Sequence, residues 1–255
     1  MRKLAALLLT LALSAAAFLT PFFALPVAAA ADYSVIRVRL SASYDDIDLG
    51  VKGVYLLKET GAIISSDINI SLSGSQLVVR SGSNVLYTGT EFTLVRQSGM
   101  LRQYNRQHGW RHYLGDMNYK VAPDGLGGYK LAVTNYVGLE DYLVGVVGYE
   151  MSNSFPLEAL KAQAVAARSY AASKISPKAS YDIVDTASDQ VYKGYDASLT
   201  NVIAAVNATK GQVLVNASGA VIMAYYSASN GGQTETTLNA WGTALPYYKM
   251  KDDPY

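Results

Sequence analysis

The chain has 255 residues, half of them apolar, with 21 Lys and Arg against 20 Asp and Glu and no cysteine. That length and apolar fraction provide for a sizeable core in one large or two small domains, and disorder is not the expectation. The near-zero charge argues against nucleic acid or an anionic membrane surface as the main partner, and the lack of thiols excludes disulfides and thiolate metal sites.

At the N-terminus, Arg2-Lys3 precedes an apolar segment from Leu4 to Leu19 and then Ala28-Ala29-Ala30, the pattern of a secretory signal peptide over residues 1–30. Pro21 and Pro26 interrupt the hydrophobic run, which favours cleavage over a retained anchor, with the uncleaved anchor as the alternative. Without those residues the chain loses Arg2 and Lys3 and no acid, so the exported form stays close to neutral.

From Val35 to Leu40 apolar and basic residues alternate, the period of a half-buried strand. Ile68–Leu72, Leu77–Val79 and Phe92–Val95 repeat that character between Gly and Ser clusters, predicting antiparallel hairpins in a β-rich lobe, residues 31–134. His108 and His112, the only histidines, flank Gly109 and Trp110; glycine and aromatics favour strand or turn over a helix that would align them, so no metal site is expected. No linker marks a boundary near Asn135, and the two halves are expected to be intergrown in an α+β fold.

The second half, residues 135–255, is organised around Glu150. A carboxylate that closes the mostly apolar run Tyr142–Tyr149 is expected to be part-desolvated, which raises its pKa toward the range of a general acid; the alternative is a surface acid ending a helix, or one paired with Arg168. Ser152-Asn153-Ser154, Pro156 and Glu158 mark the start of a new helix that runs to about Lys174, before Ser176-Pro177. Leu157, Leu160, Ala164, Arg168, Ala171 and Ile175 form its apolar stripe, and Arg168 within it must meet an acid or a polar cleft. Beyond it the residue pattern predicts short strands at Tyr181–Val184 and Gln190–Tyr192, a helix from Asn201 to Thr209, and a hairpin of Gln212–Val215 with Ala220–Tyr226.

The run Gly145-Val146-Val147 through Glu150-Met151, then Pro156 and Glu158-Ala159-Leu160-Lys161-Ala162-Gln163-Ala164-Val165-Ala166-Ala167-Arg168-Ser169-Tyr170, resembles the stage II sporulation protein D and amidase-enhancer family. The similarity continues through Gln190–Gly194, Gly211–Leu214, Ser227–Glu235 and Trp241-Gly242. The resemblance implies a lytic transglycosylase that cuts peptidoglycan glycan strands with Glu150 as its acid, needing no cofactor and acting beside a cell-wall amidase or endopeptidase. Its enhancer branch implies the alternative, a non-catalytic glycan-binding module that stimulates an amidase. It also implies that chains of this kind run on past Asp253-Pro254-Tyr255. Some relatives bind zinc through a cysteine in the Ser-x-x-Gly-Gly loop; Asn230 stands there in this sequence, so no zinc is implied.

For the remaining positions functional and structural readings stand side by side. A positive partner would lower the pKa of Glu150, so Lys161 and Arg168 are expected to contact substrate or another group, with Gln163 beside them on the motif helix. Gln190 and Tyr192 lie on one side of their predicted strand, either touching sugar or buried. Ser229, Asn230, Thr234 and Glu235 offer sugar hydroxyls their polar groups around Gly231-Gly232, or form a plain turn. Trp241 stacks on a sugar face or fills the core.

Overall fold

The computed structural model describes residues 33–105 and 109–253. The predicted signal segment and His108 lie outside the described residues. The first half is a strand-rich array: β1 (Val35–Tyr44), β2 (Asp46–Leu57), β3 (Ala62–Ile64), β4 (Ile68–Ser73), β5 (Gln76–Ser81), β6 (Asn84–Gly89), β7 (Glu91–Asn105), β8 (Gly109–Tyr113), β9 (Asp116–Pro123) and β10 (Tyr129–Gly138). With β11 (Ile183–Val184) they form one sheet in the order β11-β1-β10-β9-β7-β2-β4-β5-β6, with β3 on β2 and β8 on β7. Short turns with glycine join β4 to β5 and β5 to β6 as antiparallel hairpins, β1 and β10 pair antiparallel from far apart in the chain, and β11 arrives from the second half to run parallel to β1.

The alternation read from the sequence decides which face is buried. Ile36, Val38 and Leu40 of β1 point inward, as do Ile47 and Leu49 of β2 and Leu77 and Val79 of β5. In β10, Leu131 to Asn135 are buried on both faces, because the helices of the second half cover the side that the other strands expose. This strand runs unbroken across positions 134 and 135. It ends at Gly138, and residues from Tyr33 onward form one compact unit.

Helices α1 (Leu139–Glu150), α2 (Leu157–Lys174), α3 (Thr200–Ala208) and α4 (Thr237–Trp241) supply the other layer, so the fold is α+β. The α2 stripe buries Leu160, Ala164, Arg168 and Ala171 as its spacing predicts, while Leu157 stays 43% exposed at the first turn. Two predicted elements are not formed as strands: Gln190–Tyr192 is irregular, and the hairpin over Gln212–Tyr226 reduces to one bridge, Val215 to Val221, around the turn at Asn216. Buried side chains, Gln190 and Tyr192, hold the first stretch, whereas the second keeps backbone bonds from Ile222 N–H to Leu214 O (3.0 Å) and from Asn216 N–H to Ala220 O (2.9 Å). Among the described residues no helix is long and apolar enough to cross a membrane.

The predicted cap at Ser152-Asn153-Ser154 serves another helix. No side chain caps α2 at Pro156; Asn153 Oδ1 accepts instead from the backbone N–H groups of Asn201 (3.0 Å) and Val202 (3.1 Å) in the first turn of α3. The segment after Glu150 is thereby tied to a helix fifty residues on. Asn153→Ala is expected to cost about 1 kcal/mol in urea unfolding, the usual worth of a lost cap.

Candidate active site

Helix α1 leaves β10 with no intervening loop, and Tyr142 to Val147 are buried along it, so its last turn emerges at the surface with Tyr149 and Glu150. Gly145 is required here because a Cβ would run into the Gly194 carbonyl and the Tyr192 ring. Gly194 has φ +80°, and a side chain on it would strike the His112 carbonyl, which also accepts from Tyr195 N–H at 2.8 Å. The 192–195 loop is thus clamped between α1 and β8. It sets the Lys193 ammonium 4.0 Å from the centre of the Tyr149 ring, next door to the glutamate.

The Glu150 side chain is exposed and, among the described residues, has neither a hydrogen-bond donor nor an ion-pair partner. Its carboxyl is nonetheless held above the ordinary value, because the protein mass around its base removes water that would solvate the charge. Its place at the C-terminal end of α1, with no basic residue in the last turn, acts with the same sign. Tyr226 lies within its field: burial pushes that phenol up to about 12, the bond from Gln190 opposes the rise, and the Glu150 charge adds to it. An unpaired acid with a raised pKa, open to solvent, is equipped to deliver a proton.

Several predicted contacts have other partners. Arg168 is 1% exposed, and its guanidinium binds Glu140 through Nε (3.0 Å) and Nη2 (2.7 Å) while reaching the Val206 and Gln212 carbonyls. Glu140 stands ten residues before Glu150 on α1, about 15 Å along the axis, so Arg168 joins three helices rather than facing a ligand. Lys161 pairs with Glu158 at 2.7 Å. Gln163 is half-buried on α2, and its Nε2 is enclosed without a partner.

Gln190 and Tyr192 are interior groups, not a surface pair. Tyr142 Oη donates to Gln190 Oε1 (3.1 Å), which turns Gln190 Nε2 toward Ala167 O (3.3 Å) and Tyr226 Oη (3.0 Å). Tyr192 donates to Asn135 Oδ1 at 3.1 Å, and its ring centre lies 4.9 Å from that of Tyr142. Gln190 still bears on the site, since it holds Tyr226, whose phenol feels the Glu150 charge. Strand periodicity had no means of showing this, because the segment is not a strand.

Ser229 and Asn230 lie in an exposed turn, where Asn230 Oδ1 accepts from Gly232 N–H and its Nδ2 donates to Asp253 at 2.7 Å. Thr234 bonds the Lys249 carbonyl, and Glu235 accepts from Thr236 N–H and Asn239 Nδ2, which lowers its pKa. The turn reading therefore describes this loop as it stands. Trp241 is 63% exposed and its ring lies 4.6 Å from Tyr225, on a groove of about 520 Å³ that Met223, Leu245 and Tyr247 also line. Glu150 does not line that groove.

Tyr226, Tyr149 and Lys193 are the neighbours of Glu150 that sequence reasoning passed over. Each had a faint signal: Lys193 falls inside the Gln190–Gly194 motif, Tyr149 precedes the glutamate, and Tyr226 immediately precedes the Ser227–Glu235 motif.

Residues 128–216, from the end of β9–β10 connection through α3, match the family described as SpoIID, stage II sporulation protein. The chain is 33% identical over 227 residues to an uncharacterized protein of Brachyspira hyodysenteriae, covering 85% of this chain and 58% of that one. It is 45% identical over 111 residues to the amidase enhancer of Bacillus subtilis, covering 44% of this chain and 15% of that one. With stage II sporulation protein D of Bacillus subtilis it shares 33% identity over 162 residues, 55% of this chain and 46% of the relative. The chain thus spans between about one seventh and three fifths of these proteins.

Proposed function

Because the chain is a member of the SpoIID family through residues 128–216, we propose that it acts on bacterial cell-wall peptidoglycan outside the cytoplasm, as a lytic transglycosylase with Glu150 as the sole acid and base. The observation that carries this reading is the unpaired, part-desolvated carboxyl at the end of α1. Protonated Glu150 gives its proton to the bridging oxygen as the C1–O bond breaks, so the departing sugar leaves with a hydroxyl. The C6 hydroxyl of the same muramyl residue then bonds to C1 and returns its proton to the carboxylate, leaving a 1,6-anhydro end. Intramolecular attack supplies the nucleophile in place, and one carboxyl serves both steps.

The test is chemical. Purified protein is incubated with glycan strands, intact and stripped of stem peptides, and the new ends are weighed by mass spectrometry. Anhydromuramyl ends are the expected result; reducing ends alone, or none, would overturn the proposal. The 45% identity to a protein named amidase enhancer favours a second reading, a glycan-binding module that stimulates a separate amidase. In that case Glu150→Gln retains strand binding and still accelerates an added amidase, with no anhydro ends at any stage.

A further inference from the structure

The stretch between Glu91 and Asp116 carries Arg96, Arg102, Arg106 and Arg111 and no acid, an island of charge in a chain that is otherwise balanced. In the structure much of this stretch is the β7–β8 pair, whose register sets Tyr104 opposite Trp110 and Arg102 opposite His112. One face is interior, with Leu101, Gln103 and Tyr113 buried. The other holds Arg102, Tyr104, Trp110 and His112 toward solvent.

Tyr104 and Trp110 are 42% and 41% exposed, and their rings meet edge to face at 5.4 Å. The Arg102 guanidinium sits 4.1 Å over the Trp110 ring. Its other side is made by Gly50 of β2, where even a methyl group would come within 3.0 Å of Arg102 Nε. The planar fork is thus held flat, yet no described carboxylate pairs with it and its Nε has no hydrogen-bond partner. Asp48, two positions along β2, already accepts from Asn69 at 3.0 Å. An exposed aromatic pair offers apolar faces to the C–H side of a pyranose, and an ordered, unpaired guanidinium offers a fork to a carboxylate.

We propose that the outward face of β7 and β8, built from Arg102, Tyr104 and Trp110, is a second glycan-binding site that takes a carboxylate-bearing sugar of a peptidoglycan strand. The identity of the polymer rests on the function proposed above; the chemistry of the surface stands apart from Glu150. The hairpin is also tied through its backbone to the loop beside the candidate site. His112 of β8 accepts from Tyr195, and the same clamped loop carries Lys193 onto Tyr149 beside Glu150.

Binding of peptide-stripped glycan strands, whose lactyl carboxylates are free, to the full chain carrying Glu150→Gln tests the idea. Trp110→Ala is expected to weaken the Kd about tenfold, and Trp110→Phe to restore most of it. Arg102→Gln is expected to weaken binding to these strands and to leave unchanged the binding of strands whose carboxylates have been amidated. Circular dichroism confirms that each variant is folded, and Trp110→Phe covers the case in which alanine disturbs the hairpin. Unchanged affinity in Trp110→Ala and Arg102→Gln, equal loss on amidated strands, or tighter binding of a DNA duplex than of glycan would each overturn it. Cleavage is scored separately in the parent chain: a lack of anhydro ends with the variant effects intact refutes the enzyme and leaves this surface standing.

Discussion

Glutamine in place of Glu150 is expected to lower strand cleavage at least about 100-fold, the usual scale of losing a general acid, while the fold at pH 7 stays as stable or gains slightly. The two halves of that expectation come from one cause. Desolvation holds the carboxyl above its ordinary value of 4.5, so the folded state keeps the proton more tightly than the unfolded chain. The stability this group contributes is complete below the unfolded value and is lost as pH rises through the raised folded value. At neutral pH the charged form opposes folding, and an uncharged isostere removes that opposition. Wild-type cleavage should fall with rising pH through the same raised value, because only the protonated acid serves the first step. A glutamine variant with a markedly lower melting temperature would mean that the side chain holds the structure together; a variant with undiminished release of anhydro ends would mean that the proton comes from elsewhere.

Glu140→Gln is expected to be the more damaging change to the fold, costing about 3 kcal/mol or more. The guanidinium of Arg168 is 1% exposed and its only described anionic partner is Glu140, so an amide leaves a charge enclosed with no counter-charge. For a unit of this size that loss lowers the melting temperature by roughly 6–12 °C. Glycan affinity at temperatures where the variant is folded should be unaffected, since the pair lies about 15 Å from Glu150. A normal melting curve with weakened glycan binding would reverse the assignment and return Arg168 to a role in substrate contact. The carboxylate of Glu140 keeps 25% of its own surface, so the opposite change, Arg168→Met, should cost less, as water can still solvate the acid left behind.

The correspondence between sequence and structure follows the range of the interactions concerned. Period-two alternation located β1, β4 and β5, and the small-residue stripe located α2, because each reports only which side of a local element meets the core. The position of Glu150 at the end of an apolar run was equally local. The strand predicted for Gln190–Tyr192 is not formed for the opposite reason. Their segment makes no ladder, and its conformation is set by Tyr142, Asn135 and Tyr226, up to 57 residues away. Asn153 was recognisable as a capping residue, but nothing near it in sequence indicates that it caps α3 instead of the helix it precedes.

By itself the sequence determined the α+β composition, the long helix after the glutamate, and the demand that an arginine in that helix find a counter-charge. These depend on local periodicity and on the cost of burying a charge, which hold whatever the chain packs against. Only the tertiary structure decided which acid answers Arg168, which phenol stands beside Glu150, and that Arg102 is left flat and unpaired over Trp110. Those are contacts between segments far apart along the chain, fixed by sheet order and helix packing, and a one-dimensional pattern does not contain the distances between them.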